Sequence, residues 1–225
     1  MNETVYSILV WAPGVIFAIT LHEWAHGFVA FLHGDDTAAR LGRLTLNPLP
    51  HIDPVMTLLV PGLILATSLA TLGTPFIFGS AKPVPINPNN FRYKRGGVRK
   101  GGAQRMAMFW VAAAGPFVNF LLALACAGVL RVTLAMTAAP PMFLVGMLLA
   151  AIKMNVILGV FNLFPVPPLD GGRMMTALLP PPLDRTLAAL ERAGLGLVLL
   201  LAFSGVLSPI LSGAIRFFVG MAVSL

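Results

Sequence analysis

Residues 5–31 form an apolar run as long as a bilayer is thick, and within it stand His22, Glu23 and His26. About 20 predominantly apolar residues in helical form are needed to cross the hydrocarbon core of a membrane. Runs over 106–130 and 195–215 reach that length as well. Only 10% of the residues are charged and 57% are hydrophobic, whereas soluble domains carry roughly 25% charged residues. Such a chain cannot cover a surface that faces water. The expectation is an all-α polytopic membrane protein with about four to six transmembrane helices.

The first run is too long for a cleavable signal, lacks a basic leading region, and carries polar residues that a signal does not need. The net charge of +7 is concentrated: seven of the fifteen Lys and Arg residues lie between Lys82 and Arg105, with no acidic residue among them. Beside transmembrane segments, such a cluster fits retention on the cytoplasmic side and contact with anionic lipid headgroups. No nucleic-acid partner is expected. The single Cys126 lies in an apolar run, so no disulfide framework exists.

Along the chain, a polar stretch over 33–53 follows the first span. Residues 40–47 alternate loosely and could form a short strand of a membrane-associated β-hairpin. The Asn47-Pro48 and Asp53-Pro54 pairs mark turns. Residues 55–78 are apolar but broken by Pro61-Gly62, Gly73 and Pro75, a pattern that suits a re-entrant segment buried against protein. Spans are expected over 106–130 and 142–161, joined by an uncharged connection at 133–141. A Pro-rich loop at 162–168 leads into a short helix after Asp170. The tail, 186–225, holds one long span or two shorter ones meeting near Ser208-Pro209. The whole of 1–225 reads as one integral membrane domain, with a core over 5–180.

His22-Glu23-Trp24-Ala25-His26 places two imidazoles at i and i+4, one above the other on a helix face, so both can reach one ion. Glu23, offset by one position, can instead approach a water on that ion. Catalytic zinc takes three protein ligands and keeps an open position, where it acidifies water for a nearby carboxylate to deprotonate. An ionisable group inside the bilayer costs at least ~2.5 kcal/mol unless it is paired or hydrated, which favours a metal over a polar patch satisfied by neighbouring helices. For the third ligand, Glu3, Asp35, Asp36, Asp53, Asp184 and Glu191 all lie in polar flanks, while Asp170 directly follows an apolar span and the Pro-rich loop. Asp170 could equally cap a helix beginning at Gly171; a two-histidine site lacking a carboxylate tips the choice to ligation.

Three motifs in order, His22-Glu23-x-x-His26, Gly115-Pro116-x-x-Asn119 and Asn162-x-x-Pro165-x-Pro167-x-Leu169-Asp170-Gly171, resemble the site-2 protease family of intramembrane metalloproteases. The resemblance covers most of 5–180. It implies one Zn2+ held by His22, His26 and Asp170, with Glu23 activating water. It also implies that Asn162 helps to hold an extended substrate and that Asn119 is structural or supports a ligand. The loops at 32–54 and 79–105 are too short for a PDZ insert, which implies the compact branch of the family and a prokaryotic inner membrane. The implied substrate is a transmembrane protein or peptide, which must unwind before its carbonyls can be attacked. A strand near 40–47 could pair with the released backbone.

Topology follows from parity. His22 and Asp170 can share an ion only if an even number of crossings separates them. The spans over 106–130 and 142–161 supply two, so 55–78 must cross twice or not at all. The regions on the site's side hold Arg40, Arg43, the basic cluster, Arg173, Arg185 and Arg192, whereas residues 1–4 and 133–141 hold no Lys or Arg. The positive-inside rule therefore sets the site near the cytoplasmic face. Two other functions compete. A catalytically inactive metal-binding scaffold or chaperone-like protein has no use for Glu23, and a transporter would spread its ionisable residues along a path.

Overall fold

The computed structural model describes residues 2–59, 81–92 and 100–223. Three of its helices are long and apolar enough to cross a membrane. They lie in α1 (Glu3–Leu32), α3 (Lys100–Met136) and α4 (Met142–Asn162). At 1.5 Å per residue α1 is about 45 Å long and α3 about 55 Å, so both outreach a hydrocarbon core of about 30 Å. The chain is thus a helical, multi-pass membrane protein. Between the long helices lie a single turn, α2 (Thr37–Arg40), and an extended stretch, 81–87, that ends in a 3-10 turn at Pro88–Asn90. After α4 come α5 (Asp170–Leu178), α6 (Leu183–Ala189), α7 (Gly194–Phe203) and α8 (Leu207–Val223).

The three long helices pack against one another, with α8 set against α3 and α4. Lipid tails are as apolar as leucine, so close backbone approach through small side chains, rather than water exclusion, binds helices together here. The contacts follow that rule. Ala18, Ala123, Ala127 and Ala150 are buried. A Cβ on Gly14 of α1 would stand 3.0 Å from the Ala151 backbone of α4, so the two helices cross almost in contact. Large apolar side chains such as Ile8, Phe17, Phe117 and Met142 face outward, the arrangement that hydrocarbon permits and water penalises.

Several expectations are corrected. No strand forms over 40–47. Thr37–Arg40 is a helical turn, Gly42 turns the chain at φ +65°, and among the described residues no strand exists for this stretch to pair with. Of the two readings of the tail, the structure has the two shorter helices, α7 and α8, with their junction a few residues before Ser208-Pro209. The chain breaks at residues 204–206, where Gly205 takes φ +76°, a conformation natural to glycine. Pro209 instead falls in the first turn of α8, where no intrahelical N–H is needed. At 17 residues, α8 is about 26 Å long and just short of a span. Of the expected re-entrant stretch, 55–59 continue a π-helical turn, Pro54–Leu59, and the remainder lies outside the described residues. α3 starts six residues before the expected 106, adding a turn and a half that contains Arg105.

Candidate metal centre

Residues from α3, from the start of α5 and from the stretch over 81–87 converge on the C-terminal half of α1. On α1, one helical turn separates His22 from His26, and their Nε2 atoms stand 3.1 Å apart. Asp170 Oδ2 lies 3.2 Å from His22 Nε2 and 3.3 Å from His26 Nε2. All three residues are buried. The expected trio is therefore brought together, and Asp170 is not the N-cap: it occupies the first position of α5, and Leu169 precedes it as the cap residue.

Local sequence explains how Asp170 gets there. The chain doubles back after α4 through Pro165, Pro167 and Pro168, and α5 starts tightly against that loop. A Cβ on Gly171 would collide with the Leu163 and Phe164 carbonyl oxygens, and one on Gly172 with the Pro167 nitrogen. Only glycines allow the turn to fold against itself and aim the carboxylate at α1. On the opposite wall, a Cβ on Gly115 of α3 would sit 2.5 Å from both His22 Cε1 and His26 Nε2. The bare backbone of Gly115 forms one side of the cluster.

The imidazole tautomers are fixed from behind. His26 Nδ1 lies 2.7 Å from the Val111 carbonyl oxygen, which can only accept, so Nδ1 donates. His22 Nδ1 lies 2.6 Å from Asn119 Oδ1 and donates likewise. With Nδ1 so engaged, each ring in its neutral form presents the Nε2 lone pair to the other ring and to Asp170 Oδ2. That oxygen is buried and, among the described residues, has no hydrogen-bond partner. Three electron-rich atoms facing one point repel unless a cation joins them. Around a tetrahedral zinc with bonds of 2.0–2.1 Å, ligand atoms lie about 3.3 Å apart. The observed separations of 3.1, 3.2 and 3.3 Å suit that ion.

Glu23, half-buried beside the pair, accepts the Val84 backbone N–H at Oε2 (2.9 Å). Val84 belongs to an extended strap, 81–92, that is latched at both ends. At one end Lys82 N–H donates to the His51 carbonyl (3.0 Å) and Arg43 donates to Lys82 O (2.8 Å). At the other, buried Asp35 accepts from Asn87 N–H (2.6 Å), Asn90 Nδ2 (3.0 Å) and Thr37, while Arg92 N–H donates to His33 O (2.8 Å). Burial opposes ionisation of Asp35, but these donors prevail and its pKa is lowered. A cavity of about 540 Å3, lined among others by Val84, Met108, Arg105, Arg173 and Thr176, opens beside the strap. Its size falls within the range of ligand-binding cavities, about 300–1,000 Å3.

The other two expected site residues part ways. Asn119 is fully buried and bonded to His22. Asn162, in the last turn of α4, donates Nδ2 to Leu158 O of its own helix (3.0 Å). Sequence reasoning missed the strap and Asp35. The Lys82-Pro-Val-Pro-Ile-Asn-Pro pattern is their signal, since closely spaced prolines enforce extended backbone.

Fold and centre together define a multi-pass membrane protein with a buried two-histidine, one-carboxylate site suited to a tetrahedral cation. The chain belongs to peptidase family M50, whose family model matches residues 132–201, from the end of α3 past Asp170 into α7. It is 36% identical over 184 residues to "Putative zinc metalloprotease YwhC" of Bacillus subtilis (strain 168), covering 80% of this chain and 74% of that protein. It is 30% identical over 203 residues to "Putative zinc metalloprotease Rip2" of Mycolicibacterium smegmatis, covering 87% of this chain and 67% of that one. No solved structure matches. The resemblance to site-2 proteases read from the three motifs stands.

Proposed function

We propose that this chain is an intramembrane zinc metalloprotease that hydrolyses peptide bonds of transmembrane protein substrates. One Zn2+ is held by His22, His26 and Asp170, and Glu23 is the general base. The observation that carries the reading is the convergence of two Nε2 lone pairs and an unpartnered Asp170 oxygen at 3.1–3.3 Å, with the Glu23 carboxylate on the adjoining residue of the same helix. Membership of family M50 and relatives named as zinc metalloproteases support it.

When bound, zinc supplies a Lewis acid and a water acidified to a pKa near 7. The protein does the rest. Val111 and Asn119 keep both imidazoles in the ligating tautomer. Burial excludes bulk water from the two rings and Asp170. Glu23, tethered at one oxygen by the Val84 N–H, keeps the other for taking the proton of the attacking water and delivering it to the leaving amine. The cavity beside the strap gives a locally unwound substrate a place against Val84, whose N–H bonds Glu23. With Arg40, Arg43, Arg173 and Arg185 on the site's side, the centre lies near the cytoplasmic face of what we take to be a bacterial cell membrane. The domain over 1–225 acts as one unit in this reading.

The test is cleavage of a model transmembrane peptide by purified protein in detergent or liposomes. Wild type should cut it, a zinc chelator should stop it, and zinc should restore it. The Glu23→Gln protein should keep its zinc and lose cleavage. A Glu23→Gln protein that holds zinc and cleaves normally refutes the assigned base.

A further inference from the structure

Behind His22 the hydrogen bonds run further than the ligand's immediate neighbour. Asn119 Nδ2 donates to two acceptors, Asn155 Oδ1 at 2.9 Å and the Ala18 carbonyl at 3.3 Å. Asn155 Nδ2 in turn donates to the Ala151 carbonyl of its own helix at 2.9 Å. Both asparagines are buried, Asn119 at 0% and Asn155 at 3% exposure, so no bulk water can substitute for a missing partner. The chain of bonds therefore has a direction. Ala151 O can only accept, which turns the Asn155 NH2 toward it and leaves Asn155 Oδ1 for α3. That oxygen, also only an acceptor, turns the Asn119 NH2 toward α4, and Asn119 Oδ1 is left facing His22 Nδ1.

We propose that Asn155 of α4 is a positioning residue for the metal centre, which sets the tautomer of His22 by fixing the orientation of the Asn119 amide. The inference rests on His22 being a metal ligand. Without Asn155, the amide is oriented only by the longer bond to Ala18 O. A flipped amide would set NH2 against His22 Nδ1 and make that nitrogen the acceptor. The ring proton would then reside on Nε2, the atom aimed at His26 and Asp170, and His22 could not ligate. Asn155 thus reaches the metal ligand through two hydrogen bonds and across two helices, α3 and α1, without touching the metal. Gly14, whose missing side chain lets α1 lie against Ala151, keeps the origin of the chain beside the helix that bears His22.

Three variants separate this role from packing. Asn155→Leu has similar bulk and no acceptor. Asn155→Ser can still bond its own helix but is too short to reach Asn119. Asn155→Asp, neutral when buried, restores both bonds with its O–H toward Ala151 O and its C=O toward Asn119. Zinc affinity is measured by competition with a chromogenic chelator, the ligand field by the visible spectrum of the cobalt(II)-loaded protein, and folding by the thermal transition of the metal-free protein. Asn155→Leu and Asn155→Ser should bind zinc about 10–100-fold more weakly and show altered cobalt bands, while Asn155→Asp stays within about threefold of wild type on the same scale. If Asn155→Leu does not fold, the comparison of Ser with Asp decides. Unchanged affinity and spectrum in the folded Leu or Ser variant, or an Asp variant as weak as Ser, overturns the proposal while leaving the zinc site intact. Wild-type protein that binds no zinc removes the site and this role together.

Discussion

Glu23 and Asp35 both accept backbone N–H groups from the strap over 81–92, yet their surroundings give them opposite uses. Asp35 is 2% exposed and closed in by Thr37, Asn87 and Asn90, so every direction from which a proton could arrive is occupied by a donor. Glu23 is half-buried and accepts one strap N–H, that of Val84. The first is a latch and the second can act as a base. Replacing Glu23 with Gln should lower turnover at least 100-fold, in line with the 10²–10⁴ that general-base catalysis contributes, with zinc content unchanged. Asp35 gives a pH prediction. Its folded pKa is depressed, so its stabilising effect is present above its ordinary value of 3.8 and is lost as pH falls through the lower folded value. Protection of the strap amides over 82–92, corrected for the intrinsic exchange rate at each pH, should be full at pH 6 and fall as pH drops below 3.8. Asp35→Ala should loosen the strap at all pH values, at a cost of about 1.5–3 kcal/mol for each charge-assisted bond lost.

Among the elements, α1 and α5 were the parts best read from sequence. The two histidines are four residues apart on one helix, a local relation that spacing alone reveals. The third ligand was legible because so few carboxylates exist in the chain. What spacing could not reveal were contacts between distant segments: Val84 on Glu23, 61 residues away, and Asn155 on Asn119, 36 residues away. The expectation of a strand over 40–47 failed because alternation is a weak signal in a short polar stretch, and Gly42 ends it in a turn. Hydropathy left the tail open between one span and two helices because it does not register Gly205, where the chain breaks, a few residues before the expected Ser208-Pro209 junction. The glycines give a sharp test at this scale. Gly115→Ala introduces a Cβ 2.5 Å from both rings, and α3 cannot retreat without disturbing the Val111 and Asn119 bonds. Metal affinity should fall 10–100-fold, measured by chelator competition, while Gly128→Ala, where a Cβ meets nothing within 4 Å, should leave it unchanged.

At the scale of the whole molecule, α3 and α4, each long and apolar enough to cross a membrane, separate the histidines from Asp170 along the chain, and Asp170 meets them in space. On the orientation proposed from charge, cysteines placed at Ala138 and Asn89 of a Cys126→Ala protein should label from opposite faces of sealed vesicles, Asn89 from the cytoplasmic one. The account as a whole turns on metal. Zinc content of the purified protein, per chain, tests it most directly: about one zinc in wild type and in Glu23→Gln, and well under a tenth of that in His26→Ala and Asp170→Ala after dialysis against a competing chelator. Wild-type levels of bound zinc in the Asp170→Ala protein would contradict it.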